Sequence, residues 1–315
     1  MLKKIILNIF FVVFLISLGN CQYKLDAQSK TTHVAKIVYK LSIENADSVL
    51  IDSIKVINSI EVLRKRLLSF SVDPIALYYE KSSRQFVIKT KKGLENNGRV
   101  LLKPCKIEFY ECCPLSDFYT VLDSDKSKNG KALRQKFLSS LSDETNYFDK
   151  ENKSPFLMMI GLKNIEHFNK TKVGIQDLYG NLCLLAYQQE NNESKNEPIK
   201  LYALKKNTNK IVANKYIDEV KVNFDERGLP CLGLSFNKEG SALFANLTAQ
   251  NVGKFIAITV DGVVFMAPNV YSEITGGKVQ ISGRFELKEL ERLKILIQAG
   301  YLPFELKIAS VNIEK

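Results

Sequence analysis

The sequence predicts an α+β protein in which a polar insertion separates two α/β subdomains. One observation is a β-α-β-β-α-β order of apolar patterns between Lys36 and Tyr110, which gives a sheet with helices on one face. Another is a compact run of strands and helices from Leu232 to Leu306. We place a base subdomain at residues 36–113, an insertion at 114–198, and a head subdomain with its closing strand at 199–315.

Residues 1–21 have the pattern of a lipoprotein-type signal peptide. Lys3-Lys4 precede an apolar run from Ile5 to Leu18, which is shorter than the roughly twenty residues of a membrane-spanning helix. Leu18-Gly19-Asn20-Cys21 resembles a bacterial lipobox, although Asn20 departs from the usual small residue. We therefore predict cleavage and lipid attachment at Cys21. A plain signal peptide and an uncleaved anchor helix are the alternatives, and polar residues 22–35 form a tether in each case.

The base elements follow from the spacing of apolar residues. Alternation predicts a strand over residues 36–43, and helical spacing predicts a long helix over 49–70. Asp73-Pro74 begins a turn, after which residues 75–79 and 84–90 form two strands. A short helix within residues 93–103 and a strand at 106–110, the last strand of the base, complete the order.

The insertion is polar but has some apolar segments of its own. We expect a modest amphipathic helix at residues 131–141, a short apolar piece at 156–162 and a strand at 182–187. A strand at residues 199–204 and a candidate helix at Ile217–Val222 then lead into the head.

The head combines a capped helix with a hairpin. Asn237 precedes apolar residues at helical spacing, so its side chain suits the N-cap, and Gly253 lies just past the pattern. Asp261-Gly262 separates two β-rich runs, 255–260 and 263–266, which is the strongest local signal for a hairpin. Residues 278–282 form a strand between glycines, helical spacing returns over 287–297, and residues 304–308 alternate as a strand.

Composition argues against several classes of function. The formal net charge is +11, but the basic residues are spread along the chain without the concentrated stripe of a nucleic-acid groove. A solvated basic surface, facing an anionic membrane, is the simpler interpretation. His33 and His167 are the only histidines, and no Cys-x-x-Cys or His-Glu-x-x-His motif occurs, so we expect no metal site. The cysteines other than Cys21 are odd in number, which leaves their pairing open.

No catalytic or cofactor-binding set stands out in the sequence. Gly276-Gly277 precedes a strand rather than a helix N-terminus, so we interpret these glycines as turn residues and not as a phosphate cradle. No Ser/His/Asp or Cys/His combination is evident, and we expect a protein that binds rather than catalyses, without a cofactor.

Two segments resemble the same family. The first contains Ile60–Leu67 and Ile107–Tyr110, and the second contains several short motifs in a fixed order. These are Asn237–Gly240, Leu247–Lys254, Asp261-Gly262, Ile274–Gly277, Ile281–Gly283 and Ala299–Pro303. In this order they are similar to the large first periplasmic domain of SecD, the accessory subunit of the Sec translocon. Ser154–Leu157 and Leu201–Lys205 in turn resemble pieces of fused SecDF proteins.

The resemblance implies a ferredoxin-like base, a movable head, and engagement of polypeptides emerging from the translocon. Proton flow through a membrane helix bundle drives this movement in the family. No apolar run of about twenty residues occurs in this sequence, so we expect a SecD-like domain without that bundle, held by its lipid.

Our functional prediction is a non-enzymatic, periplasm-facing lipoprotein of the bacterial cell envelope. It would bind exported or unfolded polypeptide, or Sec translocon components, and so assist translocation. The alternative is an envelope lipoprotein that reuses the fold as a binding or structural module with no Sec role. Candidate partner-binding or fold-motif residues are Asn251, Gly253, Asp261, Gly262, Thr275, Gly276, Gly277 and Gly283.

Overall fold

The computed structural model describes residues 35–44, 51–94, 98–114, 117, 120, 126–139, 158–160, 183–187, 199–206, 211–283 and 285–314. Within these ranges, two compact units are present. The first contains the described residues up to Pro104 together with those from Ala299 onward, and the second contains those from Cys105 to Gln298. The signal peptide, Cys21 and the tether lie outside the described residues. Among the described helices, none has the length and apolar character needed to cross a bilayer.

The first unit contains one antiparallel sheet. Its strands are β1 (Lys36–Ile43), β2 (Pro74–Glu80), β3 (Gln85–Thr90) and β14 (Leu306–Glu314), in the order β14-β1-β3-β2. Helix α1 (Ser53–Ser69) connects β1 to β2, and its N-cap Asp52 accepts a 2.7 Å hydrogen bond from the Lys55 backbone. The short helix α2 (Gly98–Leu101) follows β3. Strands β1, β2 and β3 and the long helix of the base are present, and the helix starts at Ser53, four residues later than expected, because Asp52 is its N-cap.

One face of this sheet and helix α1 enclose an apolar core. Tyr39, Leu41, Phe86 and Ile88 from the sheet pack with Leu63 and Leu67 from α1. Alternate residues of β1 and β3 therefore point to the same side, as the period of two requires. The Tyr39 hydroxyl accepts a hydrogen bond of 3.0 Å from the Leu94 backbone, which pins the segment after β3 to this core.

The predicted last strand of the base belongs to a different sheet. Strand β4 (Ile107–Glu111) pairs with strands of the second unit, and the position beside β1 is taken by β14 from the end of the chain. The assignment of residues 106–110 to the base sheet was therefore wrong. The physical reason for the error is that all five β4 residues are buried, a pattern that fits an interior strand of any sheet. Long-range pairing alone selects the neighbours of such a strand.

The second unit contains three sheets. The first has the order β12-β11-β4-β8, from Val263–Met266, Ile256–Val260, β4 and Ile211–Val212. The second has the order β13-β10-β9, from Lys278–Ile281, Pro230–Phe236 and Ile217–Phe224. The third has the order β5-β7-β6, from Met158–Ile160, Ile199–Lys205 and Cys183–Tyr187. The helices are α3 (Lys128–Ser139), α4 (Lys238–Ala249) and α5 (Leu287–Ala299), whose last residue falls in the first unit.

The structure corrects one further element and confirms another. Ile217–Val222, a candidate helix, lies within strand β9, where Val220 is buried between exposed charged neighbours. Asp218, Glu219, Lys221 and Asn223 are exposed in this strand, and pairing with β10 decides for the strand. The Asn237 N-cap of α4 is confirmed, because its Oδ1 accepts a 2.8 Å hydrogen bond from the Gly240 backbone.

The boundaries at residues 113 and 198 stay predictions. The mixed α+β class with several antiparallel sheets is present.

Candidate functional site

An open cleft lies within the second unit. Its volume is about 290 Å³, and it is enclosed by β4, β11, β12, α4, β13 and the connection from Pro268 to Ile274. Most of the side chains that line it are apolar, and these are Phe109, Phe244, Ile256, Ile258, Met266, Val270, Ile274 and Val279. A cleft of this size and character suits an apolar segment rather than a polar metabolite.

Two phenylalanines that line the cleft, Phe109 and Phe244, pack with a third, Phe236. Phe109 of β4, Phe236 of β10 and Phe244 of α4 have ring centroids 5.3–5.9 Å apart in tilted or edge-to-face arrangements. Such pairs are favourable because the positive edge of one ring meets the negative face of another. All three residues are buried, so this aromatic cluster supports the cleft from within the core.

The pleat of β11 assigns its side chains to two different environments. Ile256 and Ile258 line the cleft. Ala257 points to the opposite face, where it packs with Tyr110, Tyr202 and other residues of a separate core. This alternation follows from the two-residue period of a strand.

The connection from β12 to β13 forms the rim of the cleft. It is held to the end of α4, since Gly253 donates to the Val270 carbonyl at 2.8 Å and Val270 donates to the Lys254 carbonyl at 2.9 Å. The buried Thr248 hydroxyl accepts a 2.9 Å hydrogen bond from the Ile274 backbone. Tyr271 lines the cleft between these anchors with 89% of its surface exposed. An aromatic side chain this exposed, beside an apolar cleft, is a candidate contact for a partner.

Strand β13, whose residues line the cleft, has one backbone edge that no described strand pairs. Phe236 donates to the Gly277 carbonyl at 2.9 Å, so Gly277 faces β10. The register continues as Ser235 opposite Lys278 and Gly233 opposite Gln280. Because successive residues of an antiparallel strand turn their backbone groups to opposite sides, the N–H and C=O of Lys278 and Gln280 point away from β10. Among the described strands, only β10 pairs with β13, so this outer edge is available.

The cleft has little charge. Among the described residues that line it, Lys278 is the only charged one. In the described part of the chain, no cluster of three or more His, Cys, Asp and Glu side chains is placed to hold a metal ion. The arrangement offers apolar contact and backbone pairing.

Asn251 and Gly253, two of the residues selected from the sequence, close helix α4. Asn251 is buried, and its Nδ2 donates to the Leu247 carbonyl at 2.9 Å. Gly253 has φ of +77°, which L side chains rarely adopt. Both residues position the Gly253–Val270 hydrogen bond described above, and neither lines the cleft.

Asp261 and Gly262 form the turn between β11 and β12, with φ of +52° and +77°. These values fit the type of turn that the sequence indicates. The Asp261 carboxylate also accepts hydrogen bonds from the backbones of Cys105 at 3.0 Å and Lys106 at 2.7 Å. The turn therefore fixes the beginning of β4, away from the cleft.

Thr275, Gly276 and Gly277 follow the rim, whereas Gly283 lies beyond β13. Thr275 and Gly276 are exposed. Gly277 is buried, and a Cβ at this position would lie 1.9 Å from the Ser241 Oγ. A Cβ at Gly283 would lie 2.7 Å from the Phe285 ring. The cleft-lining residues Phe109, Phe244, Met266 and Tyr271 were not selected from the sequence, because an apolar residue gives no local sign that it borders a cleft.

Comparisons with known proteins agree with these observations. Residues 185–304 match the family model described as SecDF, P1 head subdomain. The chain is 44% identical over 100 residues to the protein translocase subunit SecD of Acidaminococcus fermentans, covering 32% of this chain and 24% of the relative. It is 37% identical over 94 residues to the protein translocase subunit SecDF of Thermus thermophilus, covering 30% of this chain and 13% of the relative. The matches thus span about a quarter or less of these relatives.

Solved structures extend the likeness to most of the chain. The structure described as that of "a membrane component SecDF that enhances protein export" superposes with a TM-score of 0.51 at 17% identity, over 87% of this chain and 99% of that chain. SecDF in its "Super-membrane-facing form" gives 0.51 at 16% identity, over 88% of this chain and 30% of that chain. At such identities the likeness concerns the fold. Together with the family model for residues 185–304 and the sequence relatives, it supports a P1 domain of the SecD/SecDF type in this chain.

Proposed function

We propose that this chain assists protein export by binding extended, incompletely folded polypeptide in the cleft of its second unit. The observation that carries the proposal is the combination of an apolar cleft lining with a strand edge that no described strand pairs. Apolar side chains of an extended segment fit against Met266, Tyr271 and Ile274, which line the cleft and are partly or largely exposed. Its backbone pairs with Lys278 and Gln280 on the outer edge of β13. Backbone pairing does not depend on sequence, which suits a protein that receives many different chains.

We further propose that the protein acts at the bacterial cell envelope. The chain is a lipoprotein attached through Cys21, in the bacterial envelope, with its folded part facing the periplasm. The first unit is a ferredoxin-like base, into which the second unit is inserted between β3 and β14. The antiparallel order β14-β1-β3-β2 and the β1-α1-β2-β3 sequence support this topology.

Site-specific photo-crosslinking in cells tests the binding partner. A benzophenone amino acid replaces Tyr271 at the rim, and the matched control replaces Phe224, which is 63% exposed on β9 outside the cleft. We expect exported polypeptides or translocon components to be captured from position 271 and not from position 224. Capture of a single unrelated envelope protein would contradict an export role and favour the alternative, a binding module that reuses the fold.

A binding measurement with purified protein tests the cleft itself. The probe is a fluorescent, permanently unfolded polypeptide, and the readout is its anisotropy. Tyr271→Ser removes an exposed aromatic contact, and losses of at least about tenfold are usual for such anchors. Phe224→Ser is the control with a similar loss of apolar surface. Equal affinities of the two variants would contradict binding in the cleft.

A further inference from the structure

One edge of the base sheet brings together four strand ends. Lys36, the first residue of β1, lies opposite Glu314, the last residue of β14. The next residue, Ile37, lies opposite Thr90 at the end of β3, and Thr90 lies opposite Pro74 at the beginning of β2. We name this boundary of the sheet the Lys36–Glu314 edge.

The Lys36–Glu314 edge is basic. Lys36 at the start of β1, and Lys91 and Lys92 directly after β3, are exposed. A further lysine, Lys89, lies 3.1 Å from the Glu314 carboxylate, so that charge is already compensated. Asp73, just before β2, is the other carboxylate at this boundary among the described residues. Three lysines therefore face solvent beside one uncompensated carboxylate.

The same edge exposes apolar side chains. Ile313, opposite Ile37, is 70% exposed, and Val311, opposite Tyr39, is 50% exposed. Leu68, in the last turn of α1, is 46% exposed, and a turn of four residues brings the chain from α1 to Pro74 at this edge. The Leu68 carbonyl accepts a hydrogen bond from Ser71 in that turn. Lysines beside exposed apolar side chains are the combination that binds an anionic bilayer surface.

We propose that the Lys36–Glu314 edge rests on an anionic phospholipid surface, with its lysines at the headgroups and Ile313 and Leu68 in the interface. The inference rests on the membrane attachment in the proposed function. Residues 22–35 separate Cys21 from Lys36, so even a fully extended tether keeps this edge within roughly 50 Å of the membrane. Attachment at that distance and the sign of the charge both favour lipid over a protein partner.

The test uses the full chain reconstituted into vesicles of phosphatidylcholine, either alone or with phosphatidylglycerol at about one lipid in three, which gives the surface a negative potential. A benzophenone amino acid at Ile313 reports lipid contact through phospholipid adducts. The same probe at Ile54, which is 71% exposed in the first turn of α1, is the control site. Helix α1 has 17 residues, so its two ends lie about 25 Å apart.

Charge variants identify the lysines responsible. Lys36, Lys91 and Lys92 are changed together to Gln. The matched control changes Lys81, Lys103 and Lys307, all of which are exposed. Lys81 directly follows β2, Lys307 lies opposite Ser42 near the other end of β1, and Lys103 follows Leu102, whose carbonyl accepts a hydrogen bond from Leu306. All proteins keep the N-terminal apolar segment, so its own membrane affinity is common to every sample. We expect lipid adducts at Ile313 that depend on phosphatidylglycerol and fall about tenfold or more in the edge variant, but not in the control.

Two outcomes would overturn the proposal in different ways. If the chain floats with the vesicles but Ile313 forms no more lipid adduct than Ile54, or forms adducts with a second copy of the chain instead, the edge does not rest on lipid. If the chain does not float with the vesicles, the membrane attachment in the proposed function fails as well. Circular dichroism of every variant, unchanged from the parent, keeps either result interpretable.

Discussion

Replacement of Arg66 by Met is expected to destabilise the first unit strongly. Arg66 is completely buried in α1. Its Nη1 donates to the carbonyl oxygens of Leu101, at 2.8 Å, and Lys103. Its Nη2 donates to those of Pro104, at 2.9 Å, and Gly300, at 2.8 Å. One guanidinium thus joins both segments at which the chain leaves and re-enters the first unit.

The magnitude follows from four hydrogen bonds to one charged group. Each such bond contributes about 1.5–3 kcal/mol, while the desolvation of a buried charge opposes them by several kcal/mol. Met removes the charge and its desolvation together, but it leaves four carbonyl oxygens without this donor. The net loss is about 3–5 kcal/mol, similar to other changes that leave buried polar groups unsatisfied.

Native-state hydrogen exchange is the suitable assay, because it reports the first unit separately from the second. We expect the slowest amides of β1 and β3 to exchange about 150- to 4,000-fold faster in Arg66→Met. Lys65→Met, on the same helix, is the control. Its ammonium is exposed and lies 2.7 Å from the Glu61 carboxylate, and such exposed pairs contribute about 0.5 kcal/mol or less. An increase below fivefold in Arg66→Met would refute the role of Arg66 in joining the two segments.

Three further predictions concern the second unit. Gly277→Ala should destabilise the second unit by at least about 1–2 kcal/mol, because Gly277 has φ of +60° and its added Cβ would meet Ser241. The control is Gly276→Ala, whose added Cβ would have no atom within 4 Å and should leave the thermal unfolding midpoint nearly unchanged. Equal midpoints for the two variants would contradict this prediction. Asn237→Ala removes the N-cap of α4 and should cost about 1 kcal/mol in urea unfolding, and Asn237→Asp should restore most of it. Desolvation raises the pKa of the Cys112 thiol to about 12, so this thiol stays protonated in the folded protein well above the pH at which the unfolded chain ionises it. Folded stability should therefore fall as pH rises from about 9 towards 12, and less so in Cys112→Ser; a steeper fall in that variant would contradict the assignment.

Local signals in the sequence were sufficient for the elements whose conformation is decided within a few residues. The Asn237 cap, the Asp261-Gly262 hairpin turn and the long helix of the base depend on side-chain hydrogen bonds, positive φ angles and helical periodicity. These are short-range interactions, so the sequence alone predicts them. The order of motifs also predicted the SecD/SecDF family, which the family model and the sequence relatives bear out.

Tertiary structure decided which strands become neighbours. Every residue of β4 is buried, so its sequence does not indicate which sheet it joins. It pairs with β11, about 150 residues later in the chain. The cleft has the same origin, since Phe109, Phe244 and Met266 come from three separate segments and meet only when these pairings form. In the sequence, nothing distinguishes Arg66 from the other basic residues of its helix. Its buried position depends on carbonyl groups from distant segments, including that of Gly300. Contacts between distant segments depend on the complete packing of the chain, and no local pattern encodes them.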